Sequence, residues 1–151
     1  MKTNIPDPID PSPSPHPALG VDYGDSRIGV AATDDFGIMA HPVETVPAHG
    51  KDPLLRIAEI AAMRKIQTLV VGLPLRLDGN EGDSAKKVRK FAKKLAHTLP
   101  TIPMIFVDET YTTADASEKL REAGRKAHRQ KHIIDQVAAV EILNRWMGEI
   151  S

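Results

Sequence analysis

The sequence predicts an α/β fold, a mixed five-stranded sheet with helices on both faces. Three observations lead there. Three short β-rich segments, ALGVDYG, RIGVAAT and IMAHPVETV, follow one another across turns rich in Gly and Asp. Two later apolar runs, QTLVVGL and IPMIFVDE, each follow a stretch with helical spacing. A last helical segment closes the chain. An antiparallel meander continued by alternating helix and strand gives the order β-β-β-α-β-α-β-α-α.

Each element has its own justification. Met1 to Pro17 carries six prolines, which remove backbone donors and disfavour helix at the residues before them. It is expected to be an extended, disordered leader (1–17), with the folded domain over 18–149. Pro42 assigns the third strand to a sheet edge or a bulge. Lys51 to Lys65 places Leu54, Ile57, Ile60 and Ala61 at helical intervals, with Pro53 suited to a first turn. QTLVVGL is a continuous apolar run of the kind covered on both faces. After the loop PLRLDGNEG, a helix over about Gly82–Thr98 turns Ala85, Val88, Phe91, Ala92 and Leu95 inward. Thr112 or Thr113 can cap a further helix to about Ala123, with Gly124 as its stop. A basic connector, RKAHRQK, precedes a last helix over about His132–Met147.

Length and composition bound the function. The chain of 151 residues has room for one domain and a tail. With 41% hydrophobic and 26% charged residues it is an ordinary globular chain rather than a disordered one. It has no cysteine, which excludes disulfides, a thiol nucleophile and Cys-ligated metal. No apolar run reaches the roughly 18–20 residues that span a bilayer. The N-terminus lacks a basic-then-apolar leader pattern, so the expectation is a cytoplasmic protein with no membrane partner. Net charge is zero, but Ser84 to His132 holds twelve Lys and Arg against five Asp and Glu. Such a local excess suits a polyanion; it also suits solvated amphipathic helix faces.

Three acidic positions stand out. Asp22 sits in a strand, where Asp is disfavoured, and its flanking Gly20 and Gly24 are expected to leave space around it. The competing reading is a strand-end Asp capping its turn. Asp135 shares a helix face with Ala138, Ala139, Ile142 and Trp146. An acidic residue in a first turn complements the helix dipole, but one on a buried stripe needs a cation or donor nearby. The third place is Asp108-Glu109, where alternation aims one carboxylate over the sheet end without saying which. Three acidic positions in a chain without Cys point to a hard cation, Mg²⁺ or Mn²⁺ rather than zinc. Two such ions between shared carboxylates can activate a water and stabilise the leaving oxygen in phosphodiester hydrolysis. The basic segment would hold a nucleic-acid backbone.

The pieces GVDYGDSRIGVA, VVGLPLRLDGNEG, VDETYTTADA and IIDQVAAVEIL, in this order and spacing, resemble the YqgF/RuvX family over about Ala18–Met147. The resemblance implies a ribonuclease-H-like fold. It also implies a nuclease that resolves Holliday junctions or matures the precursor of small-subunit ribosomal RNA. It maps the metal carboxylates onto Asp22, Glu109 and Asp135, with Mg²⁺ or Mn²⁺ as cofactor. The chain departs from the family pattern at Thr110, where arginine commonly follows the acidic pair, which removes one phosphate contact.

Arg27 can meet a phosphate or pair with Asp25. Lys86, Lys90, Thr112 and Lys131 complete the expected nucleic-acid contacts, Thr112 having helix capping as its competing role. The loop from Pro74 to Gly82 has Gly79 and Gly82 for close backbone approach. His128 and His132 have i, i+4 spacing, but Gly124 and the polar connector argue for a solvated pair. Trp146 fits core packing. Two readings outside hydrolysis remain: an RNA-binding assembly factor that does not cleave, and an actin-like ATPase, which needs a second phosphate-binding half that 151 residues do not hold. The partner is precursor ribosomal RNA or branched DNA. A junction resolvase needs paired sites and a dimer, whereas an RNA nuclease can act alone, so monomer and weak homodimer both stand.

Overall fold

The computed structural model describes residues 14–109 and 127–150, with side chains omitted for 127–133. Five strands form one sheet: β1 (Ala18–Tyr23), β2 (Arg27–Thr33), β3 (Ala40–Pro47), β4 (Thr68–Leu73) and β5 (Met104–Asp108). Their order is β3-β2-β1-β4-β5. β1, β2 and β3 pair antiparallel, whereas β4 and β5 continue parallel to β1. This is the expected mixed sheet. β3 is an edge strand, and its register slips so that Val30 faces Glu44 while Ala31 faces Pro42. Pro42 therefore sits at both of the places open to it, an edge and a bulge.

Helices cover both faces. α1 (Pro53–Met63) begins where the Asp52 carboxylate accepts from the backbone N–H groups of Leu54 and Leu55. α2 (Asp83–Thr98) buries Ala85, Val88, Phe91, Ala92 and Leu95, the predicted face. These two helices and one side of the sheet enclose the larger core, with Leu19, Val21, Ile28, Val30, Leu69 and Val71 at its centre. Arg56 of α1 forks onto Glu44 of β3 at 2.8 and 2.7 Å, fixing the helix to the edge strand.

The opposite face holds one helix, α3 (Ala127–Ile150). It begins earlier than the sequence spacing suggests, so the backbones of His128 and His132 both lie in continuous helix. The expected break before His132 is corrected. Ala139, Ile142, Leu143 and Trp146 pack against Ala18, Ala31, Val70 and Val107, and Ala138 is buried beside them in sequence. Gln136 donates to Thr45 of β3, and Arg145 donates to the Asp108 carbonyl of β5. The helix expected over Thr112–Ala123 lies outside the described residues.

α3 sits close to the sheet because glycines pave the strands beneath it. A Cβ on Gly29 would lie 2.0 Å from the Asp135 carbonyl oxygen, and one on Gly20 would meet Leu143 at 2.6 Å. Gly20 therefore does not open space around Asp22, as the sequence reading expected. Helix α3 fills that space. The folded region also starts earlier than expected. The Pro15 and Pro17 carbonyls accept from Thr68 Oγ1 and the Gln67 N–H at 2.8 Å each, and His16 bonds Thr33 and packs beside Trp146.

The close approach makes a clear prediction. Gly29→Ala places a methyl against backbone that cannot swing aside, and overpacking of this kind costs about 1–3 kcal/mol. Gly148→Ala meets no atom within 4 Å and is expected to be neutral or slightly stabilising, as alanine favours helix. Urea denaturation of both variants measures the contrast, and equal stability of the two would contradict it.

Candidate active site

The three parallel strands end at one edge of the sheet, where Tyr23, Leu73 and Asp108 finish β1, β4 and β5. This carboxyl edge is where open α/β sheets carry their sites. Asp22 lies one residue before the end of β1, opposite Gly29 of β2. Facing residues of an antiparallel pair point to the same side, so Asp22 projects toward α3. Glu109 follows β5, and its N–H continues the ladder by donating to the Leu73 carbonyl at 3.2 Å. Glu109 is buried whereas Asp108 is exposed. The side chain that alternation left undecided between these two is therefore Glu109. Its carboxylate lies over Gly72, where an added Cβ would come within 2.7–2.8 Å of it. The glycine of VVGL makes room for the acid.

The Glu109 carboxyl lies within hydrogen-bonding reach of Asp22, and Asp135 is near enough to act on Asp22 through its charge. Burial above all, then the Asp135 charge, pushes the Asp22 carboxyl from its ordinary 3.8 up to about 7, while hydrogen bonding with Glu109 pulls it down. Asp135 lies more than two turns inside α3. Dipole complementarity in a first turn therefore does not explain it. Its partner is Arg27, whose Nε donates to Asp135 Oδ2 at 2.9 Å. The alternative pairing of Arg27 with Asp25 is not made; Asp25 instead meets Lys87 of α2 at 3.3 Å.

The donor set is entirely carboxylate oxygen, which suits Mg²⁺ or Mn²⁺. Two carboxyl groups in contact, with a third acting on them, sit together only by sharing a proton or a cation. Asp22 and Glu109 fit. Asp135 is turned aside to Arg27, and among the described residues no three acidic or imidazole groups yet surround a common point. The donor chemistry of the three suits such an ion, with Asp135 paired to Arg27 in this structure.

Around this edge, the six basic residues of α2 are exposed. Arg89 forks onto Glu81 at 2.7 Å twice and lies over the Phe106 ring. Lys90 lines a shallow concavity with Tyr23, Asp25, Lys87, Phe91 and Lys94, leading away from the end of β1, and Lys86 stands on the outer side of the same helix. Thr110 and Thr112 lie outside the described residues, as does the side chain of Lys131. The 74–82 loop folds as a small hairpin in which Leu75 pairs with Glu81. Gly79 serves there through its positive φ of 85°, and Gly82 is covered by the Arg76 side chain. Gly82 is thus closed off, whereas at Gly79 no atom lies within 4 Å of the place a Cβ would take.

Sequence reasoning missed the Arg27–Asp135 pair and the roles of Gly29 and Gly72. Glycines inside strands were the available signal, since they mark a close approach by another backbone or side chain.

The sheet order and its helices define a class of fold, the ribonuclease-H-like fold. Among solved structures the chain is similar to T. thermophilus RuvC in complex with a Holliday junction substrate. That likeness has a TM-score of 0.53 at 15% identity, covering 89% of this chain and 95% of that one. The family is settled by sequence. The model described as "RuvX: Holliday junction resolvase" matches residues 16–149, and the chain belongs to that family. Its relatives include proteins named "Putative pre-16S rRNA nuclease" in Mycobacteroides abscessus and Streptomyces coelicolor. They are 43% and 47% identical to it, over 87% and 84% of this chain and 80% and 77% of theirs. A Nocardia farcinica protein of the same name is 41% identical over 93% of this chain and 84% of its own.

The raised Asp22 carboxyl predicts a pH signature in metal-free protein. Below about pH 4 folded and unfolded chains both carry the proton. Between about 4 and 7 the unfolded chain releases it and the folded chain keeps it, so this group makes stability fall as pH rises, levelling off above 7. Asp22→Asn removes that loss and is expected to raise stability at pH 7 and above by a few kcal/mol, to order of magnitude. Urea midpoints in EDTA from pH 4 to 8 measure it; parallel curves for the two proteins would contradict it.

Proposed function

We propose that this protein is a metal-dependent nuclease that hydrolyses phosphodiester bonds in structured RNA, its substrate being the 5′ end of the 16S ribosomal RNA precursor. The observation that carries this reading is the burial of two carboxyls, Asp22 and Glu109, at the carboxyl edge of the sheet, with Asp135 seated over Gly29, the residue opposite Asp22. The choice of RNA is supported by relatives at 41–47% identity that are named for the 16S precursor. Branched DNA is the second reading, favoured by the family description.

Asp22, Glu109 and Asp135 would hold Mg²⁺ or Mn²⁺. When bound, a pair of such ions supplies an activated water and a counter-charge for the leaving oxygen. The rest is the work of the chain. Asp22 is fixed by its strand, and its burial keeps bulk water from competing for its oxygens. Glu109 holds the opposite wall over Gly72. Arg27, Lys86 and Lys90 engage phosphates along the edge, with Thr112 and Lys131 as the further contacts expected from the sequence. Such contacts position a backbone without reading its bases, which suits a structured substrate. The excess of basic residues in 84–132 predicts binding that weakens steeply with salt.

The test compares a labelled 16S precursor with a labelled four-way junction, each in Mn²⁺ and in EDTA. The expected result is Mn²⁺-dependent cleavage of the precursor. Asp22→Asn and Asp135→Asn should remove it by at least about 100-fold, since even outer-shell partners of metal ligands are worth 10–100-fold. Circular dichroism should report an intact fold in both. Full activity in either variant would remove the assignment. Salt-sensitive RNA binding without cleavage, unchanged by Asp22→Asn, would replace it with a binding factor.

A further inference from the structure

Among the described residues three arginines meet carboxylates, and they do so differently. Arg56 and Arg89 each use two nitrogens on two oxygens, Arg56 on Glu44 and Arg89 on Glu81. Such forks are the strong, specific form of the pair. Arg27 reaches Asp135 through Nε on one oxygen, at 2.9 Å. Its side chain is 33% exposed while that of Asp135 is 19% exposed, so the guanidinium faces the solvent side and the carboxylate faces inward. Alternation along β2 places Arg27 on the same face as Gly29, hence on the face of Asp22. The guanidinium thus neutralises one member of a crowded acidic set from the side on which a nucleic-acid backbone would arrive.

We propose that Arg27 is a positioning residue that competes with the divalent cation for Asp135, and that a phosphate drawing the guanidinium away tightens cation binding. This rests on the reading of Asp22, Glu109 and Asp135 as the ion-holding set. The free protein then holds the ion weakly, and loading is tied to the arrival of substrate. Because coupling is reciprocal, the factor by which a phosphate tightens the ion is the factor by which the ion tightens the phosphate. A one-point contact suits the exchange, since its loss on the way to the loaded state is smaller than that of a fork.

The test is Mn²⁺ titration of the full chain without nucleic acid, read as free Mn²⁺ by electron paramagnetic resonance. The proteins are wild type, Arg27→Gln, Arg27→Lys and Asp22→Asn. Arg27→Gln removes the competing charge and should tighten Mn²⁺ binding about tenfold, within the usual range for such couplings. Arg27→Lys keeps the charge and should stay near wild type. Replacing chloride with sulfate at equal ionic strength, as a stand-in for a phosphate diester, should tighten binding to wild type and leave Arg27→Gln unmoved. Unchanged or weaker binding in Arg27→Gln overturns the competition, and an equal sulfate response in both overturns the release by phosphate. If Asp22→Asn binds Mn²⁺ as well as wild type, the ion-holding reading itself fails. Lost binding in Asp22→Asn without a gain in Arg27→Gln sinks the role of Arg27 alone.

Discussion

The close seating of α3 on a glycine-paved sheet is the constraint from which the rest of this structure follows. Gly20, Gly29 and Gly72 lie on three adjacent strands, and at each the space of a missing Cβ is taken by α3 or by Glu109. At Gly29 the occupant is the backbone of Asp135 itself. No ordinary side chain there would let the helix descend far enough to bring its carboxylate beside β1. The packing is therefore also the means by which acids far apart in sequence meet. Gly72 does the same for Glu109 on the other flank.

Bringing acids together in a buried place is unfavourable in itself. A carboxylate that loses water without gaining a partner is driven to keep its proton, and Asp22 does so toward neutrality. Natural sequences tolerate such local conflict where function requires it and stabilise the fold elsewhere. Here the offset is visible on the far face. The larger core is continuous from Leu19 to Leu95, and Tyr23 stacks on Phe91 with ring centres 4.5 Å apart. One side of the sheet supplies stability and the other places charge. The two sides meet at the carboxyl edge, where Lys87 of α2 reaches Asp25.

Much of this was legible in the residues. The meander, the two parallel strands and the buried stripes of α1, α2 and α3 follow from hydrophobic spacing, which reports burial directly. Asp22 and Asp135 were visible as acids on faces that should be apolar. Three things were not legible. The start of α3 was set too late because a polar connector has no apolar period, although its backbone is helical from Ala127. Gly20 reads as space around Asp22 because a sequence does not say which helix lies over which strand. The partner of Arg27 was hidden for the same reason, since residues 27 and 135 meet only through the tertiary packing that Gly29 permits. Resemblance to a family supplied Glu109 over Asp108; the geometry that separates the two is the burial of one and the exposure of the other.

If these glycines let α3 complete a site for a hard cation, diffraction from crystals soaked in Mn²⁺ will locate the ion by its anomalous signal. The expected peak lies between the oxygens of Asp22 and Glu109, with the Asp135 carboxylate turned from Arg27 toward it. A well-ordered Asp22–Glu109 pair with no peak beside it, at Mn²⁺ concentrations that support cleavage, would rule out a cation site here.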